Sequence, residues 1–290
     1  MNASDQQKIA SAVSRLAAAG HPQTTTCHGY RAGISFNVVP FSTALVNHAP
    51  AGSGKLSLAR SILYSDMQVG KDGPCWLAAG YVCYLFIPLY SKSGQKTAQP
   101  PRTHIPNLTD NKNLLGTSAR RQEAFRARLL RREGCRCAIT GGGPTGAVPV
   151  DLGVVSHLEA SHILPFSLGH YDATDSTRIK GAAVTLIETW SDFRVQAWFG
   201  AGINSVRNGI LLSADAHAYF DNYDIWLEPE VQNSVPVANA YVVRSRCPSM
   251  DFAGIHVQFT DASNHIPSID LPSRRALAIY AAFAKVIRGM

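Results

Sequence analysis

Three short phrases hold residues whose types and spacing could do chemistry: Glu159-Ala160-Ser161-His162-Ile163-Leu164-Pro165, Asn208-Gly209-Ile210-Leu211-Leu212 and His217-Ala218-Tyr219-Phe220-Asp221. A histidine that closes a β-strand can take a proton from water as a general base. An asparagine opening the next apolar strand can bond across the turn and hold that base in place. A histidine one helical turn later presents an imidazole to a divalent cation, which neutralises charge growing on a phosphate. Taken in order, His162, Asn208 and His217 are the parts of a one-metal hydrolytic site.

The elements that must position them are legible in outline. Asn208 to Ser213 reads as a short buried strand entered through a turn, and Ser213 suits the N-cap of a helix over 214–220. His217 then lies near the start of that helix. Alternation along the strand ending at His162 puts His157, Glu159 and Ser161 on one face and Leu158, Ala160 and His162 on the other.

With Cys137-Ala138-Ile139-Thr140-Gly141 upstream, these phrases resemble the HNH endonuclease family, in the subfamily patterned Cys-Ala-Ile-Thr-Gly, Glu-Ala-x-His-Ile-x-Pro, Asn-Gly-Ile-x-Leu, His-x-x-Phe-Asp. The likeness covers roughly residues 120 to 228. It implies a ββα-metal core embedded in a larger α+β chain, and hydrolysis of DNA phosphodiester bonds with one divalent ion, leaving a 5′-phosphate and a 3′-hydroxyl. His162 would be the base, Asn208 would orient it, and His217 would hold the ion. Magnesium is the expected cation, with manganese or zinc open because one ligand is an imidazole.

The chain departs from the family in two places. Many such enzymes carry Asp or His just before the base histidine as a second ligand, but here that position is Ser161, a poor ligand for a hard cation. Glu159 is therefore the candidate second ligand. Asp221 is another, although it suits a helix-end cap equally well, and His157 could equally be a surface imidazole. Related nucleases also often hold a structural zinc with two Cys-x-x-Cys pairs. This chain has only Cys135-Arg136-Cys137, so Cys137 is expected to pack as a small apolar residue. The alternative reading is an HNH-fold nucleic-acid-binding or protein-interaction module with weakened catalysis.

Net charge is +7, which alone permits nucleic acid, membrane or acidic partners. Its distribution is more informative. Seven arginines and two glutamates lie between residues 118 and 136, in one expected helix. Phe125 and Leu129 would anchor that helix while Arg120, Arg121, Arg128 and Arg132 fan out to grip phosphates, making DNA the expected partner with RNA also open.

The rest of the chain frames this unit. At 290 residues and 46% hydrophobic content it can bury a sizeable core. The expected division is an α+β region over 1–95, a proline-bearing linker over 96–115, the nuclease unit over 116–230, and C-terminal strands and a helix over 231–290. Strands are expected over 33–40, 225–227, 241–246 and 254–260. Helices are expected over 4–19, 178–193 and 272–288. The 163–207 segment reads as an insertion.

The apolar run 76–90, interrupted by Gly80 and Pro88, is too short to span a membrane and reads as a buried strand or strand pair. Ala51 to Ser57 resembles a phosphate-binding loop, but Ala49 and Leu56 stand where glycine and a hydroxyl residue are needed, so a glycine-rich surface turn is expected. Six irregularly spaced cysteines do not read as a disulfide framework. Without the apolar core of a signal peptide at the N-terminus, an intracellular location is expected.

Overall fold

The computed structural model describes residues 2–18, 25–27, 34–86, 112–143, 158–165, 178–198, 200–264 and 267–289. His157, residues 96–111 of the expected linker and the Arg120 side chain lie outside the described residues. In chain order the elements are α1 (Ala3–Ala18), β1 (Thr25–Cys27), β2 (Ile34–Phe36), α2 (Val38–Asn47), α3 (Gly52–Val69), α4 (Gly73–Tyr81), α5 (Lys112–Arg132) and β3 (Leu158–His162). They continue with α6 (Arg178–Ser191), β4 (Gly209–Ser213), α7 (Ala214–Asp221), β5 (Ile225–Gln232), β6 (Val235–Ser245), β7 (His256–Gln258) and α8 (Arg274–Gly289).

The chain forms two compact units that do not follow the linear division expected. One comprises Met1–Ser91, His170–Phe199 and Ala278–Met290; the other comprises Lys92–Gly169 and Gly200–Leu277. The 163–207 insertion thus gives its helix α6 to the first unit and its final residues to the second.

The first unit is mainly helical around an aromatic cluster. Trp190 is fully buried and its indole N–H donates to the Leu45 carbonyl at 2.9 Å. Phe283 packs on it with a centroid distance of 5.2 Å. Phe86 meets Trp190, Phe41 and Phe283 edge-on at 6.1, 5.4 and 5.3 Å, each such pair adding about 0.5–1.5 kcal/mol beyond simple burial.

Several expectations are corrected in this unit. The apolar run thought to be strand is helix α4, continued by a π-helical turn over Val82–Phe86. Pro74 sits in its first turn, where the missing N–H costs nothing, and Ala78 and Ala79 favour helix. The run is also long for a strand, and buried helix and buried strand look alike by hydropathy alone. The segment Ala51 to Ser57 is not a surface turn but the beginning of α3. There Gly54 lets α3 and α6 touch, since a Cβ at that position would lie 1.7 Å from the Trp190 carbonyl oxygen. Cys83 is disulfide-bonded, which the irregular cysteine spacing did not suggest. The strand expected over 33–40 is confined to β2, because Asn37 then caps α2 and Pro40 lies in that helix's first turn.

The second unit holds the candidate site. Strands β3 and β4 pair antiparallel, with Leu158 opposite Ser213 and His162 opposite Gly209. Helices α5 and α7 both pack on this pair. Beyond α7, β5, β6 and β7 form an antiparallel sheet in that order. Its first hairpin turns through Asn233 and Ser234, both at positive φ, as a two-residue turn matching strand twist requires. Phe125 and Leu129 of α5 are buried, as the helical spacing predicts. Ser213 has the extended backbone of an N-cap, although its hydroxyl makes no capping bond. Among the described residues no helix is long and apolar enough to cross a membrane.

Candidate active site

His162 is the last residue of β3, and three features fix its ring. Phe125 of α5 stacks on the imidazole, with ring centroids 4.5 Å apart and planes inclined by 18°. That stack depends on Gly209, directly opposite in the register: a Cβ there would come within 2.4 Å of the Phe125 ring and 2.8 Å of Leu129. On the ring's edge, Nε2 bonds the Asn204 side-chain oxygen at 2.9 Å. Burial lowers the His162 pKa from its ordinary value, more than Asn204 and the nearby Asp221 carboxylate raise it, with His217 also pushing it down. The ring is therefore neutral at pH 7, as a general base must be.

Asn208 is fully buried and acts on backbone rather than on the imidazole. Its side-chain oxygen accepts from the Leu164 N–H at 2.8 Å, and its amide donates to the carbonyls of Leu164 and Ile203, each at 3.1 Å. Its own carbonyl accepts from the Ile163 N–H at 2.9 Å. Asn208 thus clamps the two residues that follow His162 to the chain that enters β4. Buried polar groups must be paired, and here the pairing sets where β3 ends.

Arg132 reinforces the same junction, and its expected phosphate-gripping role is corrected. The side chain is wholly buried. Nη1 donates to the carbonyls of Val206 at 2.7 Å and Asp270 at 3.0 Å, while Nη2 donates to the Gly209 carbonyl at 2.7 Å and to Glu133 at 2.5 Å. A guanidinium so enclosed cannot reach a phosphate. The cause lies in the helix: Arg132 is seven residues beyond Phe125 and three beyond Leu129, on the buried face. Burial raises the Glu133 pKa despite its bond to Arg132. Arg121 and Arg128 are exposed, as are Arg131 and Arg136, and Arg126 bonds the Leu158 carbonyl at 3.2 Å.

His217, on α7, faces β3. Its Nδ1 bonds Glu159 and its Nε2 lies 3.2 Å from Asp221. Burial alone would lower its pKa, but the bonds and attraction to Asp221 and Glu159 more than reverse this and raise it to about 9. The imidazole is consequently cationic at pH 7, held between two carboxylates. One imidazole and two carboxylates are suitable donors for a divalent ion. As placed, however, the carboxylates bond opposite edges of the ring, and among the described residues no group of three or more His, Cys, Asp or Glu is arranged to hold a metal.

Ser161, between Glu159 and His162, is fully buried, and its hydroxyl has no hydrogen-bond partner. Cys137 is also buried, with its Sγ accepting from the Thr140 N–H at 3.5 Å. The Cys137–Gly141 turn docks on β4 through the Ala138 N–H to the Leu211 carbonyl at 2.8 Å.

The fold therefore brings His162, Glu159, His217 and Asp221 together, with Asn208 beneath them. Spacing gave no sign of Asn204, 42 residues from the histidine it bonds. It also did not show that Phe125 would cover the His162 ring. The HNH endonuclease family model matches residues 137–228 of this chain. No curated protein and no solved structure matches it.

Proposed function

We propose that the second unit is a metal-assisted endonuclease of the ββα-metal type, acting on DNA phosphodiester bonds. The observation that carries this reading is the placement of a buried, neutral His162 within electrostatic reach of a His217–carboxylate cluster, at the junction that Asn208 clamps. His162 takes the proton of the attacking water. Asn208 acts as a positioning residue, by fixing the backbone just beyond His162. His217 and Glu159, with Asp221 adjacent, would hold a divalent ion, of which magnesium is the first candidate. Such an ion supplies charge neutralisation at the scissile phosphate. The exposed Arg121 and Arg128 bind backbone phosphates, and Arg120 is proposed to join them.

A second reading is supported by a specific observation. In the metal-free arrangement both ring nitrogens of His217 face carboxylates, and Ser161 brings no ligand to the site. Both features suit an HNH-fold module that binds nucleic acid without cutting it. Incubation of supercoiled plasmid with the chain, with magnesium or manganese and with a chelator control, separates the two. Chelator-sensitive nicking that is lost in His162→Ala supports the enzyme. DNA binding with no cleavage under any divalent ion supports the module.

A further inference from the structure

We propose that Asn204 is the positioning residue that sets the tautomer of His162, keeping the proton on Nε2 and the lone pair on Nδ1. This deepens, and rests on, the reading of His162 as the base. The bond from Nε2 to the Asn204 side-chain oxygen is 2.9 Å long, and an amide oxygen only accepts, so the nitrogen opposite it must carry the hydrogen. The ring cannot simply turn over to exchange its nitrogens, because Phe125 lies flat against it and Gly209 leaves that phenyl its place.

Asn204 is itself tied down. It ends the short 3-10 turn Gly200–Asn204. The carbonyl of its neighbour Ile203 accepts from Asn208, and the Ser205 N–H donates to the Gly202 carbonyl at 2.9 Å. Asn208 therefore reaches His162 by two routes, through the backbone at Leu164 and through Ile203 to Asn204. The charged groups facing the ring, Asp221 and His217, both come from α7. On α5, Phe125 covers the ring and the neighbouring Arg126 bonds the Leu158 carbonyl. A neutral imidazole used as a base must present its lone pair to water rather than to a scaffold bond, and that is what a fixed Nε2–H secures.

The test uses the metal-free full chain labelled with 15N at histidine, with His162 signals assigned by their loss in His162→Gln. The proposal expects a protonated Nε2 and an unprotonated Nδ1 at neutral pH. In Asn204→Leu the preference should collapse to a mixture of tautomers. In Asn204→Asp, which keeps the acceptor and adds a charge, the His162 titration midpoint should rise by about one pH unit or more, with an unchanged circular dichroism spectrum. A proton on Nδ1 in the wild-type chain, or an unmoved midpoint in Asn204→Asp, overturns the proposal. Asn204→Asp decides the matter even where Asn204→Leu does not fold. Cleavage is read separately. The expected tautomer in a chain that never cuts DNA refutes the nuclease reading alone, whereas full cleavage by folded Asn204→Leu refutes the tautomer role alone.

Discussion

Arg132 and its exposed neighbours on α5 should respond oppositely to the same substitution. Arg132→Gln removes bonds to the carbonyls of Val206, Gly209 and Asp270 and leaves the Glu133 carboxyl, already short of a partner on Oε2, buried without its counter-charge. Breaking one side of a buried ion pair costs about 3–5 kcal/mol. Against a typical folding stability of roughly 5–15 kcal/mol, that is a large fraction. Urea unfolding followed by circular dichroism should show the loss as a lowered midpoint. Arg121→Gln with Arg128→Gln should instead leave stability within about 0.5 kcal/mol of wild type. Those two substitutions should flatten the dependence of DNA affinity on salt by about 0.9 log unit for each phosphate they no longer neutralise. If Arg132→Gln unfolds like wild type and takes the salt dependence with it, Arg132 faces DNA and the reasoning fails.

Asn208→Ala strips partners from the Leu164 N–H, the Leu164 carbonyl and the Ile203 carbonyl, at about 1–3 kcal/mol for each group left buried and unpaired. Chemical denaturation should register it as strongly destabilising, and a mild effect would show that water replaces the clamp. His217 makes the metal-free protein's stability depend on pH. Its folded pKa of about 9 lies above the ordinary 6.5, so its contribution is full below pH 6.5 and disappears as pH rises through 9. That contribution is at most about 3 kcal/mol before solvent screening is allowed for. His217→Gln should abolish this part of the pH dependence of unfolding, and an identical profile in the variant would contradict the assignment. Calorimetric titration with magnesium or manganese should show weaker binding in His217→Ala and in Glu159→Ala, and unaltered binding in the latter would move the second ligand elsewhere.

Much of this site could be read from the sequence because its pieces are local. The strand over 209–213, the cap at Ser213 and the helix carrying His217 each follow from a few adjacent residues. Phe125 and Leu129 mark the buried face of α5 by their spacing. That spacing also placed Arg132 on the buried face, yet its charge suggested solvent, since buried arginines are uncommon and need partners distant in sequence. The Asn204–His162 bond, the Asn208 clamp on Leu164 and the seat that Gly209 makes for Phe125 all join segments brought close only by the fold. In the first unit, the run over 73–86 shows the limit of hydropathy, because apolar residues on every side fit a buried helix as well as a buried strand.

The central claim, that His162 is the base of a metal-assisted nuclease, is tested most directly by single-turnover cleavage of a DNA duplex by wild type and His162→Ala with saturating magnesium or manganese. Metal and DNA affinities should be measured on the same samples. The account predicts that the rate falls on the order of 100-fold or more while both affinities stay near wild type. A variant that cuts at the wild-type rate, or loses cleavage only because it no longer binds metal, would contradict it.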